Sequence, residues 1–291
     1  MAESRKRLLM VFAHPDDETF GMAGTIARYA SEGAEVYLIC ATNGDVGSAD
    51  EQFLQGHLSV ADLRLEELRC AAQLLGLKHL YALGYRDSGM PGSEDNQHPK
   101  SLLSAELSEV VGRVVEVIRQ VRPQVVVTFD PYGGYGHPDH LRMHQATLQA
   151  FHAAGESSQF PEQIAAGLTV YQPQKLYYLT FERRWLQLAV ALMPLFGQDP
   201  EHFGRNKDIN LRAIVQHSYP IHARINTRPY ARLVREATQC HASQLGGFQG
   251  ASALQWLRQL LEPRDDTFMR AVPPANGRLR ERDLFEGVSL D

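Results

Sequence analysis

The sequence predicts an α/β fold, a Rossmann-like, mostly parallel sheet flanked by helices, with an elaborated C-terminal half. Three observations carry this. Short apolar runs rich in β-branched residues alternate with helical stretches through the first half of the chain. Those runs are almost continuously apolar rather than alternating, as strands covered on both faces are. Polar turns rich in Gly, Asp and His follow their carboxyl ends, where open α/β sheets bind ligands.

The elements follow in order. Leu8 to Ala13 is a buried strand, and a polar turn leads to a helix from about Thr19 to Ser31, stopped by Gly33. Glu35 to Thr42 is the second strand. A loop with Gly and Asp (Asn43 to Leu58) precedes a helix from Ser59, its N-cap, to Leu75, ended by Gly76. His79 to Gly84 is the third strand, and Tyr85 to Lys100 a long polar loop. Ser101 to Val121 reads as an amphipathic helix ending before Pro123, and Gln124 to Asp130 as the fourth strand. The second half is less regular. Strands are expected at 172–181 and 222–226, and helices at 185–195, 230–243 and 251–261. The residues after about Pro273 read as partly loose.

Composition bounds the function classes. The chain has 291 residues, 44% hydrophobic and 22% charged, which fits a globular protein with an ample core. With 29 basic against 34 acidic side chains the net charge is −5, so there is no electrostatic footprint for nucleic acid and no polybasic membrane patch. The first apolar run is too short for a signal-peptide core, and no apolar stretch reaches the length of a membrane span. Cys40, Cys70 and Cys240 form no C-x-x-C pair and read as three buried apolar residues, which suggests a reducing cytoplasm. No low-complexity linker or internal repeat divides the chain, so residues 1–291 are read as one domain. Its motif-bearing core is about 6–155, and residues 156–291 elaborate it around the substrate pocket. Homo-oligomerisation is left open.

Chemistry concentrates at two strand ends. After the first strand comes Ala13-His14-Pro15-Asp16-Asp17-Glu18. His14 and Asp17, three apart, can be aimed at one point by a single turn, and imidazole nitrogen with carboxylate oxygen suits a divalent metal such as zinc. Asp16 points elsewhere and is free to act on a bound water. Taken alone, such a turn reads equally as a solvated acidic cap, and Glu18 as a first-turn carboxylate at a helix N-terminus. After the fourth strand comes a Gly-rich turn, then Gly136-His137-Pro138-Asp139-His140. One His of this pair can complete a three-ligand site while the other faces substrate. His144 reads as a packed helix residue. Asp139 either holds a His ring by hydrogen bond or caps the helix. The glycines match neither a dinucleotide fingerprint nor a P-loop, which argues against a nicotinamide-dependent oxidoreductase.

A-H-P-D-D-E and G-H-P-D-H together resemble the PIG-L/LmbE-like family of zinc-dependent N-acetylglucosaminyl deacetylases, which includes deacetylases of mycothiol and bacillithiol biosynthesis. Arg64-x-x-Glu67-Leu68, the run Gly84 to Met90, and Cys240-His241-Ala242-Ser243-Gln244 are similar to further family segments. The resemblance implies Zn²⁺, with iron(II) as an alternative, on His14, Asp17 and His140. It implies Asp16 as general base, His137 as general acid or stabilising cation, Tyr135 polarising the carbonyl, and Arg64 and Asp87 on sugar hydroxyls. It gives no role to His241. The implied activity is hydrolysis of a linear amide bond: removal of acetyl from a small N-acetylglucosamine compound of the malate or inositol type. Alternatives are an amidase of low-molecular-weight thiol S-conjugates using the same site, and a catalytically silent carbohydrate-binding protein of the same fold.

Overall fold

The structure is a computed structural model and describes residues 5–181, 184–202, 210–245, 265–275 and 279–290. Seven strands form one sheet in the order β3-β2-β1-β4-β5-β7-β6. Strands β1 (Arg7–Phe12), β2 (Glu35–Thr42), β3 (His79–Tyr85), β4 (Val125–Phe129) and β5 (Lys175–Thr180) run parallel. β7 (Asp265–Val272) lies antiparallel between β5 and β6 (Ala223–Asn226). The mostly parallel sheet is as expected, and every residue of β4 and β5 is buried, which is why those runs carry no polar alternation.

The helices are α1 (Asp17–Ser31), α2 (Glu51–Leu54), α3 (Val60–Leu75), α4 (Leu107–Val121), α5 (Gly133–Gly136), α6 (Pro138–Ala153), α7 (Pro161–Ala165), α8 (Arg184–Leu192), α9 (Leu211–Gln216) and α10 (Ala231–Cys240). Ser59 caps α3 as expected, its hydroxyl accepting from Asp62 N at 3.1 Å, and Gly76 closes it in the left-handed conformation. The fourth helix starts at Leu107, not Ser101. The Ser101 and Ser88 hydroxyls accept from Ser104 N and Leu103 N, and these side-chain bonds hold the preceding residues in a turn. Met22 leaves helical geometry inside α1, and Thr25 sends both its N–H (2.8 Å) and its hydroxyl (2.6 Å) to Asp266 on β7. At Gly24 an added Cβ would lie 2.3 Å from Thr227, so glycine permits that close approach of α1.

Several expectations for the second half are corrected. β7 was not foreseen. The helix expected at 185–195 stops at Leu192, ahead of Pro194, and continues as a 3₁₀ turn, and that expected at 230–243 ends at Cys240. The one expected at 251–261 lies outside the described residues. The C-terminal segment is packed rather than loose. Asp283 bonds Lys6 Nζ (2.9 Å) and Tyr29 Oη (2.7 Å), and Leu284 and Phe285 join the core that lies against both faces of the sheet. Cys70 and Cys240 form a disulfide and only Cys40 is free. The reading of three apolar thiols is therefore wrong, and the inference of a reducing compartment loses its basis. Among the described residues no helix is long and apolar enough to cross a membrane.

Candidate active site

The two motif-bearing turns end neighbouring strands, since β1 pairs with β4, and this brings together residues more than 120 positions apart. The β1–α1 turn supplies His14, Asp16 and Asp17. Asp16 occupies the N-cap position of α1 but caps nothing, and its φ is +130°, a conformation that non-glycine residues rarely adopt. Asp17 turns its Oδ2 back onto the N–H groups of His14 (2.7 Å) and Ala13 (3.2 Å). The solvated-cap alternative for this turn therefore fails. In the β4–α6 turn the cap is the His137 ring, whose Nδ1 accepts from Asp139 N at 3.2 Å. Asp139 is thereby released from capping. It is fully buried, and its Oδ2 meets His14 Nε2 at 3.3 Å and accepts from Ser88 N at 2.9 Å.

The hydrogen bonds decide which ring nitrogens carry protons. His140 Nδ1 lies 3.0 Å from the Gly133 carbonyl, which can only accept, so in the neutral ring Nδ1 is protonated and Nε2 is a bare lone pair. His14 Nε2 faces the carboxylates of Asp139 (3.3 Å) and Asp87 (3.5 Å), so it is protonated and Nδ1 is bare. These two lone pairs face each other at 3.0 Å. Asp17 closes the group, with Oδ1 3.3 Å from His140 Nε2 and Oδ2 3.7 Å from His14 Nδ1. The ligand–ligand edges of a tetrahedral site with ~2.1 Å bonds are about 3.4 Å. Three donor groups at such spacing, two of them ring nitrogens that face each other without a proton between them when both rings are neutral, fit a divalent cation. The charges agree. Burial disfavours the protonated His14 ring, yet the carboxylates of Asp87, Asp139 and Asp17 outweigh it and raise its pKa well above the ordinary value, so positive charge is favoured at this point. Burial alone would raise Asp17, but the His140 and His14 rings hold its carboxyl well below the usual range.

Other donor groupings also converge: His14, His137 and His140, and His14 with Asp87, His137 and Asp139. In both, His137 would have to offer Nε2, since its Nδ1 accepts from Asp139 N.

A cavity of about 340 Å³ opens beside this cluster, lined by His14, Asp16, Arg64, Asp87, Tyr135 and His137 among others. This is the lower end of the range for small-ligand pockets, roughly 300–1,000 Å³. Asp16 pairs with Arg64 at 2.9 Å, but burial and the adjacent Asp17 carboxylate prevail and push it up to about 6. Arg64 also donates to the Pro15 (2.7 Å) and Gly44 (3.3 Å) carbonyls, so the guanidinium is fixed against the Asp16 turn while bordering the cavity. Gly44 is required there: at φ +67° any Cβ would meet Arg64 Nη1 at 2.5 Å. Asp87 accepts from Gly89 N (2.8 Å) and lies 3.9 Å from His137 Nε2. With Nδ1 accepting, the neutral His137 ring carries its proton on Nε2. Burial and the neighbouring His14 and His140 push its pKa far down. The Tyr135 ring packs edge-on to His140 at 4.9 Å, and burial and three nearby Asp carboxylates raise its hydroxyl pKa.

All nine residues singled out from the sequence thus lie in or directly behind one pocket. Others were missed. Glu18 is the first-turn carboxylate of α1 as expected, but it is also wholly buried and bonded to His241 Nε2 at 2.8 Å. Glu67 takes the N–H and the hydroxyl of Ser243 at 2.8 and 2.7 Å, and Gln244 reaches the cavity. The sequence signals for these contacts were the Arg64-x-x-Glu67-Leu68 and Cys240 to Gln244 segments. His144 is buried and bonds the Phe129 carbonyl at 2.9 Å, a packing role as expected.

Comparison with known proteins agrees with this geometry. The family model PIG-L, described as GlcNAc-PI de-N-acetylase, matches residues 9–151. The chain is 35% identical to the 1D-myo-inositol 2-acetamido-2-deoxy-alpha-D-glucopyranoside deacetylase of Rhodococcus erythropolis, the match covering 99% of each chain. It is 36% identical to the deacetylase of the same name from Streptomyces avermitilis, covering 98% of each. Among solved structures it resembles the N,N'-diacetylchitobiose deacetylase of Pyrococcus horikoshii (TM-score 0.63, 22% identity, 91% of this chain and 83% of that one). It also resembles the 4-carboxy-2-hydroxymuconate hydratase GalB of Pseudomonas putida (TM-score 0.59, 19% identity, 94% and 99%). At such identities these two likenesses speak for the fold alone, and one belongs to a hydratase. The relatives matched along their whole length decide the family: the chain belongs to the PIG-L family of de-N-acetylases.

Proposed function

We propose that the chain is a metal-dependent amide hydrolase that removes the acetyl group from N-acetylglucosamine linked to inositol. The observation that carries the chemistry is the convergence of bare His14 Nδ1, bare His140 Nε2 and the Asp17 carboxylate beside a cavity that Asp16 also lines. The substrate class rests on the names of the relatives matched along 98–99% of the chain.

His14, Asp17 and His140 would hold zinc or iron(II), with Asp139 fixing the His14 ring from behind. When bound, the metal lowers the pKa of a coordinated water toward ~7 and polarises the acetyl carbonyl. Asp16, raised toward neutrality, takes the water's proton as the new C–O bond forms. Arg64 keeps the Asp16 carboxylate aimed while leaving it basic enough to accept. Tyr135 donates to the acyl oxygen as negative charge develops there. His137 donates an Nε2–H hydrogen bond to the leaving nitrogen, which takes up the proton collected by Asp16 as the C–N bond breaks. The products are acetate and the free amino sugar. Asp87, Arg64 and Gln244 line the remainder of the pocket and are assigned to the sugar and its aglycone. Residues 1–291 act as one domain in this proposal, supported by β5, β7 and Phe285 sharing the core of β1 and β4.

The test is turnover by zinc- and iron(II)-loaded protein on GlcNAc-inositol, GlcNAc-malate, free GlcNAc and a thiol S-conjugate. GlcNAc-inositol is expected to have the highest kcat/KM, and Asp16→Asn to lose at least about 10²-fold in kcat while keeping its metal. Preference for the S-conjugate would favour the amidase reading. No turnover of any of the four would return the chain to a silent binder.

A further inference from the structure

The catalytic turn is tied to the C-terminal part of the chain by a buried pair that the proposed mechanism leaves unused. Glu18 and His241 are both fully buried and lie 223 residues apart in sequence. Glu18 Oε1 receives His241 Nε2 (2.8 Å) and the Thr19 hydroxyl (2.5 Å), while Oε2 accepts the backbone N–H of Asp16 at 3.1 Å. Thus one carboxylate reads the backbone of Asp16 with one oxygen and the imidazole of His241 with the other. Asp16 needs such a hold. Its φ of +130° is a conformation that costs an L-residue on the order of 1–3 kcal/mol and persists only where its surroundings impose it.

His241 is itself anchored. It follows Cys240, which is bonded to Cys70 on α3. Two residues later, Ser243 gives its N–H and hydroxyl to Glu67, one turn before Cys70 on the same helix. The imidazole therefore arrives at Glu18 from a segment anchored on α3 at two residues, Cys240 and Ser243. The His241 ring is not among the residues lining the cavity and its hydrogen bond goes to Glu18, so it is not placed as a ligand or as a proton donor to substrate.

We infer that His241, acting through Glu18, is a positioning residue for the general base: it locks the Glu18 carboxylate so that the strained Asp16 backbone keeps its carboxylate aimed into the cavity. The inference rests on Asp16 being the base. Loss of the imidazole donor should then depress the chemical step, leaving substrate and metal binding in place.

The experiment compares His241→Leu and His241→Gln in the wild-type and Asp16→Asn backgrounds, with metal content and thermal unfolding measured on each. Gln keeps an N–H donor at about the reach of Nε2, and Leu does not. The expected result is a fall in kcat of at least about tenfold for His241→Leu, KM within twofold, metal stoichiometry unchanged, and recovery to within about threefold of wild type in His241→Gln. In the Asp16→Asn background, His241→Leu should add no further loss, since the two changes remove one function. Turnover of His241→Leu within twofold of wild type, a loss residing in KM, or additive losses in the double variant would each overturn the inference. If His241→Leu does not fold, His241→Gln decides: a tenfold loss with the donor retained refutes it, and near-wild-type kcat supports it. Failure of the deacetylase reading would show separately, as no wild-type turnover at all.

Discussion

Asp139→Asn isolates the role of a residue that contacts the proposed metal only through His14. The change keeps the side-chain shape and removes one negative charge from a fully buried site. The remaining amide oxygen can still take the Ser88 N–H and the His14 Nε2–H, now at 2.9 and 3.3 Å from Oδ2. The new NH₂ would then occupy the place of Oδ1, which is buried with no hydrogen-bond partner, so its protons would be unsatisfied there. Rotating the amide to relieve this would set a donor against two donors. Either outcome loosens the His14 ring and lowers the electron density that a carboxylate lends to Nδ1. Outer carboxylates of this kind contribute about 10- to 100-fold in metal affinity, about 1.4–2.7 kcal/mol. Competition against a chelator of known affinity should show that loss, and turnover at saturating metal should stay within a few-fold of wild type. Unchanged metal affinity would refute the assignment of His14 Nδ1 as the ligating nitrogen, because Asp139 fixes that tautomer.

Three further predictions concern stability and covalent state. Burial raises the Asp266 pKa to about 6 against its two Thr25 hydrogen bonds, so the folded state holds that proton more tightly than the unfolded chain. The ionised form therefore destabilises the fold increasingly as pH rises from about 4 through 6. Asp266→Asn should raise stability at pH 7–8, by at most about 3 kcal/mol because the side chain is partly exposed, and change little at pH 4, measured by denaturant unfolding against wild type. Arg119 is 2% exposed and donates to the carbonyls of Ala153, Ala154, Glu156, Gln159 and Phe160. Arg119→Met should cost on the order of 3 kcal/mol or more by stranding those acceptors, and an unchanged unfolding midpoint would contradict this. Protein unfolded without reductant should titrate one thiol, Cys40, rising to three after reduction. With 170 residues between Cys70 and Cys240, reduction should lower stability by up to about 5 kcal/mol.

What could be read in the sequence, and what could not, divides along physical lines. β1, β2 and β4 were legible because strands covered on both faces are apolar along their length, and the capping Ser59 and terminating Gly76 of α3 act on their own neighbours. β7 was not. Asp265-Asp266-Thr267 opens it with polar residues because one carboxylate serves Thr25 on α1, a partner 241 positions away. The side chains proposed to hold the metal were legible as residue types at two strand ends, but the choice among them depends on the Gly133 carbonyl and on Asp139, which fix the tautomers of the neutral His140 and His14 rings. Glu18, Cys240 and His241 each sit in a segment that resembles the family, but neither the Glu18–His241 pairing nor the Cys70–Cys240 bond has a local pattern, since each joins one residue of the motif-bearing half to one beyond it. These long-range ties give the less regular second half a function apart from shaping a pocket. The β1–α1 turn holds Asp16 at a φ that non-glycine residues rarely adopt, so on the inference above the proposed base is as much a product of residues 240–243 as of the motif that contains it.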